Sequence, residues 1–271
     1  LIAGALVFWK TATDLRLTPV CLSADGSSVR KAQVTDRNYQ PLTVTYQNRW
    51  NLHDHIPLHD IPLFLQQAFV LSEDQRFYRH KGVDWLARLH AAYQNIKALD
   101  SIRGASTISE QVIRMWHPRP RTLWSRWLEG LEAGRLEKEF SKSEIFEFYL
   151  NQVPYAGRRR GVVQAARLFF DRDPDTLSTA EMLALVAMVR APSRLDVRRN
   201  PDRLFKSIEQ LADRLLEFGV LDQRQHGTIK AADLKIKSTT PPVRADHFVQ
   251  YLYRLQPPLD LRGKDRLRTT L

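Results

Sequence analysis

The sequence is poor in cysteine, in long apolar runs and in repeated segments, and each shortage excludes a class of protein. Cys21 is the single cysteine among 271 residues, which excludes an internal disulfide and a cysteine-rich metal site. The sequence has no low-complexity tract or internal repeat, and hydrophobic residues make up 43% of it. This share supplies a core and excludes a disordered tail. The length indicates roughly one or two domains.

Acidic residues are scarce relative to basic ones. The 41 lysine and arginine residues exceed the 30 aspartate and glutamate residues, which gives a formal net charge of +11. An excess of this size predicts an acidic partner, whether nucleic acid, an anionic membrane or a phosphorylated substrate. The basic run Arg158–Arg160, between two glycines, is either a solvated turn or an anion contact.

The apolar run at the start of the sequence is short. It covers Leu1–Trp9 and ends at Lys10, well below the roughly 20 residues that span a bilayer. Because tryptophan followed by lysine is typical of a membrane interface, we interpret residues 1–10 as the end of a truncated transmembrane anchor. A short buried strand is the alternative. Residues 221–271 carry paired prolines and are interpreted as a linker.

Helix signals dominate the middle of the chain. Short β-branched runs in residues 11–59 predict an extended or β lead-in. Beyond it, apolar residues recur at helical spacing, and capping boxes predict helix starts at Thr107–Glu110, Ser141–Glu144 and Ser178–Glu181. The sequence therefore predicts a mostly α-helical domain over residues 60–220.

Two adjacent acids, Glu73 and Asp74, follow an apolar helical stretch. A carboxylate at the edge of apolar packing can have a raised pKa, which suits proton transfer. A helix end with solvated charges is the alternative.

A second group of polar residues lies at the start of a predicted helix. Gln111 and Arg114 are three residues apart and share a face, and the free N–H groups there favour an anion such as phosphate. A capped helix without a ligand is the alternative. Arg126 and Glu129 also share a helix face, where a surface ion pair is the ordinary explanation.

Tryptophans cluster beside arginines in the same region. Trp116, Trp124 and Trp127 lie near Arg119 and Arg121. This mixture suits a membrane interface, and stacking on nucleic-acid bases is the competing interpretation.

The order and spacing of these segments resemble the peptidoglycan glycosyltransferase domain, glycosyltransferase family 51, of class A penicillin-binding proteins and monofunctional transglycosylases. The first motif, Glu-Asp-x-x-Phe-x-x-His-x-Gly, is matched by Glu73, Asp74, Phe77, His80 and Gly82. The second, Gly-x-Ser-Thr-Ile-x-Gln-Gln, is matched over residues 104–111, and the third, Arg-Lys-x-x-Glu, by Arg126 and Glu129. The fourth is matched by Lys142, Ile145, Tyr149, Leu150 and Asn151, and the fifth region by Leu177–Glu181 through Ala191–Ser193.

The resemblance is closest to the 1C-type subgroup and implies a lysozyme-like helical fold with a small membrane-associated lobe. It implies an inverting enzyme that polymerises lipid II into β-1,4-linked glycan strands and releases undecaprenyl diphosphate. The implied location is the bacterial inner membrane, with a single-pass anchor and the catalytic domain on the periplasmic face. The implied partners are lipid II, the nascent glycan strand, the membrane and other cell-wall synthesis proteins, and nucleic acid is not among them.

The resemblance also assigns roles. Glu73 matches the general base that takes the acceptor proton, and Glu129 matches a second glutamate on the donor diphosphate side. The residues matched to substrate binding or to shaping the site are Asp74, Phe77, His80, Ser106, Thr107, Gln111, Arg114, Arg126, Lys142, Tyr149 and Asn151. The cations among them would offset the diphosphate charge. Arg119 and Arg121 would face anionic headgroups.

Three departures from the motifs bear on activity. Glu110 replaces a glutamine, Trp127 replaces the lysine of the third motif, and Arg114 stands where the family has lysine. The first two make diphosphate binding less favourable. They predict weaker activity or a need for a divalent cation, Mg²⁺ or Mn²⁺, although no cofactor is obligatory and no metal ligand is assigned.

Several alternatives stay open. They are a lysozyme-like peptidoglycan hydrolase, an activity-impaired glycosyltransferase-like scaffold and a basic nucleic-acid-binding module. Ser28–Lys31 fits the Ser-x-x-Lys nucleophile motif of transpeptidases, but no Lys-Thr-Gly follows, so we interpret the match as chance. The final residues, Arg268–Leu271, resemble the first strand of a transpeptidase domain.

Overall fold

The computed structural model describes residues 2–23, 33–38, 42, 49–98, 106–156, 159–190, 201–234, 236, 245–255 and 266–270. Within these residues the helices are α1 (Ile2–Asp14), α2 (Leu63–Glu73), α3 (Trp85–Ala98), α4 (Ile108–Trp116), α5 (Leu123–Glu139), α6 (Lys142–Gln152), α7 (Gly161–Phe170), α8 (Thr179–Arg190), α9 (Pro201–Glu217), α10 (Gln223–Lys230) and α11 (Asp246–Leu255). The strands are β1 (Gln33–Thr35) and β2 (Arg266–Arg268). The predicted mostly α-helical fold is confirmed.

The chain forms two compact units. The first comprises Leu1–Leu22 and Gln66–Tyr149, and the second comprises Ser23–Leu65 and Leu150–Leu271. In the first unit α4 packs against α5. Its largest fully buried side chains are Tyr149, Phe69, Phe77, Phe146, Ile108, Ile113, Leu136 and Ile145. Burial of these side chains supplies the main stabilisation of that unit, at about 1.5–3 kcal/mol each.

The predicted helix starts are confirmed by their caps. Thr107 accepts a hydrogen bond from the Glu110 backbone N–H, and the Glu110 carboxylate accepts one from the Thr107 N–H in return. The same reciprocal pattern joins Ser141 with Glu144 and Ser178 with Glu181. Each box satisfies N–H groups that a helix start leaves without partners.

Gly82 shows why the first motif ends in glycine. Its φ is +83°, and a Cβ there would lie 2.5 Å from the backbone nitrogen of Gly134 on α5. The chain therefore crosses α5 at a distance that a side chain would prevent.

In the second unit α8 packs against α7 and α9, and α9 packs against α10. The strands β1 and β2 pair in parallel, with Val34 opposite Leu267. Val34, Leu42 and Val249 form a small buried cluster beside this pair. The strand expected at Arg268–Leu271 is shifted towards the N-terminus, since β2 covers Arg266–Arg268.

The N-terminal segment differs from the expected lead-in because helix α1 continues to Asp14. Its end is held by α5: the Trp124 indole N–H donates to Asp14 (2.9 Å), and the Trp127 indole N–H donates to Thr11 (3.3 Å). No helix in the described residues combines the length and apolar character that crossing a membrane requires. The anchor stays a prediction.

The predicted headgroup-facing arginines are only partly at the surface. The Arg119 side chain is 7% exposed and donates to both carboxylate oxygens of Glu132, at 2.6 and 2.8 Å. Its assignment to lipid headgroups is therefore wrong, because burial beside a carboxylate leaves no face for a second anion. Arg159 is also buried, which contradicts a solvated turn there, whereas Arg121 is exposed.

Candidate active site

The first motif places Glu73 at the last position of α2, half-buried and reachable from solvent. The Gln111 side-chain amide donates a hydrogen bond to Glu73 Oε2 (3.1 Å), and the Ser72 hydroxyl lies 3.4 Å from Oε1. Tyr149 donates from its hydroxyl to Gln111 Oε1 (3.4 Å), which turns the NH₂ group of Gln111 towards Glu73. Two predicted site residues therefore orient the Glu73 carboxylate, Gln111 by direct contact and Tyr149 through Gln111.

Asp74, the neighbouring acid, is buried and fully engaged. Its carboxylate lies 3.0 Å from His80 Nε2 and accepts the Ile108 backbone N–H at 2.9 Å. Asp74 thus joins the first motif to the start of α4. Thr107 adds a second link between the same segments by donating from Oγ1 to the Gly82 carbonyl (2.6 Å).

Phe77, which is buried, and Lys142, which is partly exposed, belong to a second group of side chains. The Phe77 ring packs on Phe146 at 5.7 Å between centroids, and Lys142 Nζ lies 4.3 Å from the Phe77 centroid. Lys142 also pairs with Glu137 at 2.7 Å, and the Ser109 hydroxyl donates to the same carboxylate. Lys142 is therefore a paired cation rather than an open one.

Arg114 and Glu129 form the central ion pair between α4 and α5. Arg114 Nε lies 3.2 Å from both oxygens of Glu129, and Nη2 lies 2.7 Å from Oε2. The same guanidinium donates to the Ser106 hydroxyl (3.2 Å). A bidentate pair of this kind fixes both side chains and holds positive charge next to a carboxylate.

Glu110, the departure from the second motif, is 1% exposed and paired with Arg88 of α3. Burial raises the pKa of the Glu110 carboxyl, while the Thr107 N–H and Arg88 act in the opposite direction. Arg88 therefore compensates the unfavourable negative charge that this substitution was expected to introduce. Nothing in the sequence indicated Arg88 as the partner.

Counting along α5 moves the assignment of the third motif by one residue. In Arg-Lys-x-x-Glu the arginine precedes the glutamate by four residues and the lysine by three. With Glu129 as the glutamate, Ser125 stands at the arginine position and Arg126 at the lysine position. The interpretation of Trp127 as a replacement that removes a positive charge is therefore wrong. The Arg126 side chain is exposed and has no ion pair or hydrogen bond within the described residues.

Asn151 belongs to the second compact unit. Its side-chain amide donates to the Ile56 carbonyl (2.9 Å) and accepts the Ile56 N–H (3.0 Å). This clamp holds an extended segment, so a role in substrate binding stays a prediction. Three segments named from the sequence, Ser28–Lys31, Gly104–Ala105 and Ala191–Ser193, lie outside the described residues.

The described residues contain no group of three or more histidine, cysteine, aspartate or glutamate side chains that could hold a metal ion. The excess negative charge that would have called for a divalent cation at Glu110 is already offset by Arg88. The residues around Glu110 therefore do not fit such an ion.

The arrangement offers an oriented, solvent-reachable carboxylate, a rigid Arg–Glu pair and an exposed guanidinium in one compact unit. It can accept a proton and attract a polyanion. Sequence reasoning missed Arg88 and Glu137. Glu137 lies eight residues after Glu129 on α5, a helical spacing that could have indicated it, whereas Arg88 gave no such signal.

Comparison with known proteins shows which family the chain resembles. A family model described as Transglycosylase matches residues 39–216. A Cupriavidus necator protein named as a transglycosylase is 32% identical over 68% of this chain and 80% of its own length. Penicillin-binding protein 1A of Escherichia coli is 30% identical over 86% of this chain, and that of Aquifex aeolicus is 29% identical over all of it.

The chain spans 26% and 38% of the length of those two penicillin-binding proteins. A 2.6 Å crystal structure of penicillin-binding protein 1A from Haemophilus influenzae overlaps with a TM-score of 0.46 at 16% identity, over 90% of this chain and 28% of that chain. This overlap is too low to add an argument about the fold. The sequence matches confirm the predicted resemblance to the glycosyltransferase domain of class A penicillin-binding proteins, and the 1C-type subgroup stays a prediction.

Proposed function

Because the chain belongs to the transglycosylase family, we propose that it polymerises lipid II into β-1,4-linked glycan strands and releases undecaprenyl diphosphate. The observation that carries this proposal is the oriented carboxylate of Glu73 in the same compact unit as the Arg114–Glu129 pair. Growth of a glycan requires a base for the acceptor hydroxyl and positive charge for the leaving diphosphate.

Glu73 is the general base in this proposal, and it takes the proton of the acceptor 4-hydroxyl. Two features favour Glu73 over Asp74. Glu73 is half-buried and reachable, whereas Asp74 is buried and bound to His80 and to the Ile108 N–H. The Gln111 amide stabilises the ionised form of Glu73, which is the form that accepts a proton.

Glu129 and Arg114 act on the donor side. Since Arg114 is bound to Glu129 through two nitrogens, its charge is held in place before the diphosphate arrives. Such preorganised charge stabilises a leaving group without reorganisation during the reaction. Arg126, exposed and unpaired within the described residues, adds a second cation on α5. Lys142 contributes by holding Glu137 and Phe77 in place.

The proposed setting is the outer face of a bacterial inner membrane, where lipid II and the nascent strand are the substrates. Four apolar side chains of α1, Leu6, Val7, Phe8 and Trp9, are exposed, which supports contact with lipid. Other cell-wall synthesis proteins remain partners in this proposal. The domain limits at residues 10, 59 and 220, and the small membrane-associated lobe, are part of it as well.

The decisive experiment is a polymerisation assay with lipid II and Glu73→Gln. The substitution keeps size and hydrogen bonding but removes the basic carboxylate, so we expect a loss of at least about 10²-fold in the rate of strand formation. Glu144→Gln, an exposed carboxylate at the start of α6, is the matched control and should retain activity. Substantial glycan formation by Glu73→Gln would overturn the assignment of the base.

The same assay separates the alternatives. A hydrolase would cleave finished peptidoglycan and leave lipid II unpolymerised, and an inactive scaffold would do neither. The Arg88–Glu110 pair weighs against the scaffold, because it removes the charge conflict on which that alternative depended.

A further inference from the structure

A second ion pair also involves α4, and it is used by no step above. It joins Arg88 of α3 to Glu110 of α4. We propose that Arg88 is a positioning residue for glycosyl transfer. By binding Glu110, it prevents Glu110 from competing with Glu129 for Arg114. It also neutralises the additional negative charge that Glu110 brings to the donor side. This inference rests on the proposed function.

Helix α4 contributes to both pairs, since Arg88–Glu110 joins α3 to α4 and Arg114–Glu129 joins α4 to α5. Glu110 and Arg114 are four residues apart on α4 and therefore share a face. Both residues of the Arg114–Glu129 pair also act on the pKa of the Glu110 carboxyl: the charge of Glu129 raises it, and the charge of Arg114 lowers it. Without Arg88, the nearest cation on the same face of α4 would be Arg114.

Gly130 provides the space for the second pair. It follows Glu129 directly on α5, and a Cβ at this position would lie 3.3 Å from Arg88 Nη2 and 3.4 Å from Glu110 Oε1. The pair is thus enclosed between three helices, α3, α4 and α5. The Arg88 guanidinium also lies 5.3 Å from the centroid of Trp85, which restricts it further.

Because the Arg88–Glu110 pair is enclosed, removal of Arg88 would leave the Glu110 carboxylate buried without its partner. Glu110 is 1% exposed, so water cannot replace Arg88 efficiently. Its carboxylate would then compete with Glu129 for Arg114. Removing both charges together leaves a neutral Gln–Gln contact, and the glutamine at 110 is the residue that the family motif has there. The structure therefore predicts that loss of Arg88 alone lowers activity more than loss of the Glu110 charge alone. It also predicts that the double variant regains activity.

The test is a double-mutant cycle with Arg88→Gln, Glu110→Gln and the combination, assayed for lipid II polymerisation at pH 8. We expect Arg88→Gln to lower kcat/KM about tenfold, mainly by raising KM for the lipid-linked donor. Glu110→Gln and the double variant should stay within about threefold of the parent chain. A loss of folded protein would lower kcat and leave KM unchanged, so the split distinguishes positioning from simple destabilisation.

The control cycle uses Lys230→Gln and Asp213→Asn, an ion pair in the second unit whose two side chains are well exposed. All three control variants should match the parent. If the parent chain polymerises lipid II but Arg88→Gln matches it, or the double variant fails to recover, the role of Arg88 is overturned and the proposed function stands. If the parent chain makes no glycan, the proposed function fails first.

Discussion

At the scale of single residues, two adjacent acids carry different tasks because their surroundings differ. Glu73 ends α2 at the surface, with a side-chain amide holding it. Asp74 is buried and accepts hydrogen bonds from another segment. One position along the chain therefore separates a carboxylate that solvent can reach from one that is buried between two segments.

This difference predicts opposite results from neighbouring substitutions. Asp74→Ala leaves the Ile108 N–H and the His80 ring without their buried partner, so we expect a loss of about 2–3 kcal/mol in the free energy of unfolding. Glu73→Gln should change it by less than about 0.5 kcal/mol. Urea unfolding of both variants measures the two values, and equal stability losses would contradict the division of roles.

The same scale shows what the sequence could predict about the site. Motif spacing predicted that Glu73, Gln111, Arg114 and Glu129 belong to one site, and the structure places all four in the first compact unit. Motif spacing could not identify Arg88, which is 22 residues from Glu110 and meets it only through the packing of α3 on the other helices. Helical periodicity places side chains on a face, but only tertiary packing selects the residue opposite.

At the scale of elements, the junction between α1 and α5 is held by charge. Glu132 accepts the Arg16 backbone N–H (2.8 Å) and pairs with Arg119 and His117. Burial raises the pKa of Glu132, but hydrogen bonds from Arg119 and His117 outweigh it and hold the pKa at about 2, against 4.5 when unperturbed. The carboxyl therefore favours the folded state only while it is ionised.

The sign of this linkage gives a pH prediction. Because the pKa of Glu132 is lower in the folded state, the ionised carboxyl contributes fully to the free energy of unfolding above about pH 4.5. This contribution, about 3 kcal/mol in size, is lost as the pH falls towards 2. Glu132→Gln should lower the free energy of unfolding by about that amount at pH 7. The gap to the parent chain should narrow below pH 4.

Chemical unfolding between pH 3 and pH 7 measures this gap. Glu139→Gln, an exposed carboxylate at the end of the same helix, is the control and should differ from the parent by less than about 0.5 kcal/mol. A gap between Glu132→Gln and the parent that does not change with pH would show that the carboxyl stabilises by packing alone.

Elements were predicted well where local signals define them and poorly where they do not. The capping boxes placed the starts of α4, α6 and α8 correctly. The pairing of β1 with β2 was not predicted, because the two strands come from distant segments of the chain. The hydrogen bond from Arg37 to the Thr270 carbonyl beside them joins residues that are 233 positions apart. The extension of α1 to Asp14 depends on contacts with α5, which no local pattern contains.

At the scale of the whole molecule, the net charge of +11 has a structural context only where basic residues are described, and those of the first unit include two kinds. Arg88, Arg114, Arg119 and Lys142 are paired with buried carboxylates and organise the first unit. Exposed cations such as Arg121 and Arg126 lie on the same unit as the exposed apolar residues of α1. Only the second kind is available to an anionic surface.

This division predicts a two-part interaction with lipid vesicles. Attraction through exposed cations should be weakened by salt, while insertion of Phe8 and Trp9 should persist, since screening does not act on apolar contacts. In co-sedimentation with vesicles rich in phosphatidylglycerol, we expect part of the bound protein to remain at about 0.5 M salt. Phe8→Ser combined with Trp9→Ser should remove that remainder and leave the low-salt component.

Tyr251→Ser is the matched control, because Tyr251 is an exposed aromatic residue in the second unit. It should bind vesicles as the parent chain does. Equal binding to neutral phosphatidylcholine vesicles at low salt would argue against a role for the exposed cations. Unchanged high-salt binding by the Phe8/Trp9 variant would show that the salt-resistant contact with lipid does not depend on these two side chains of α1.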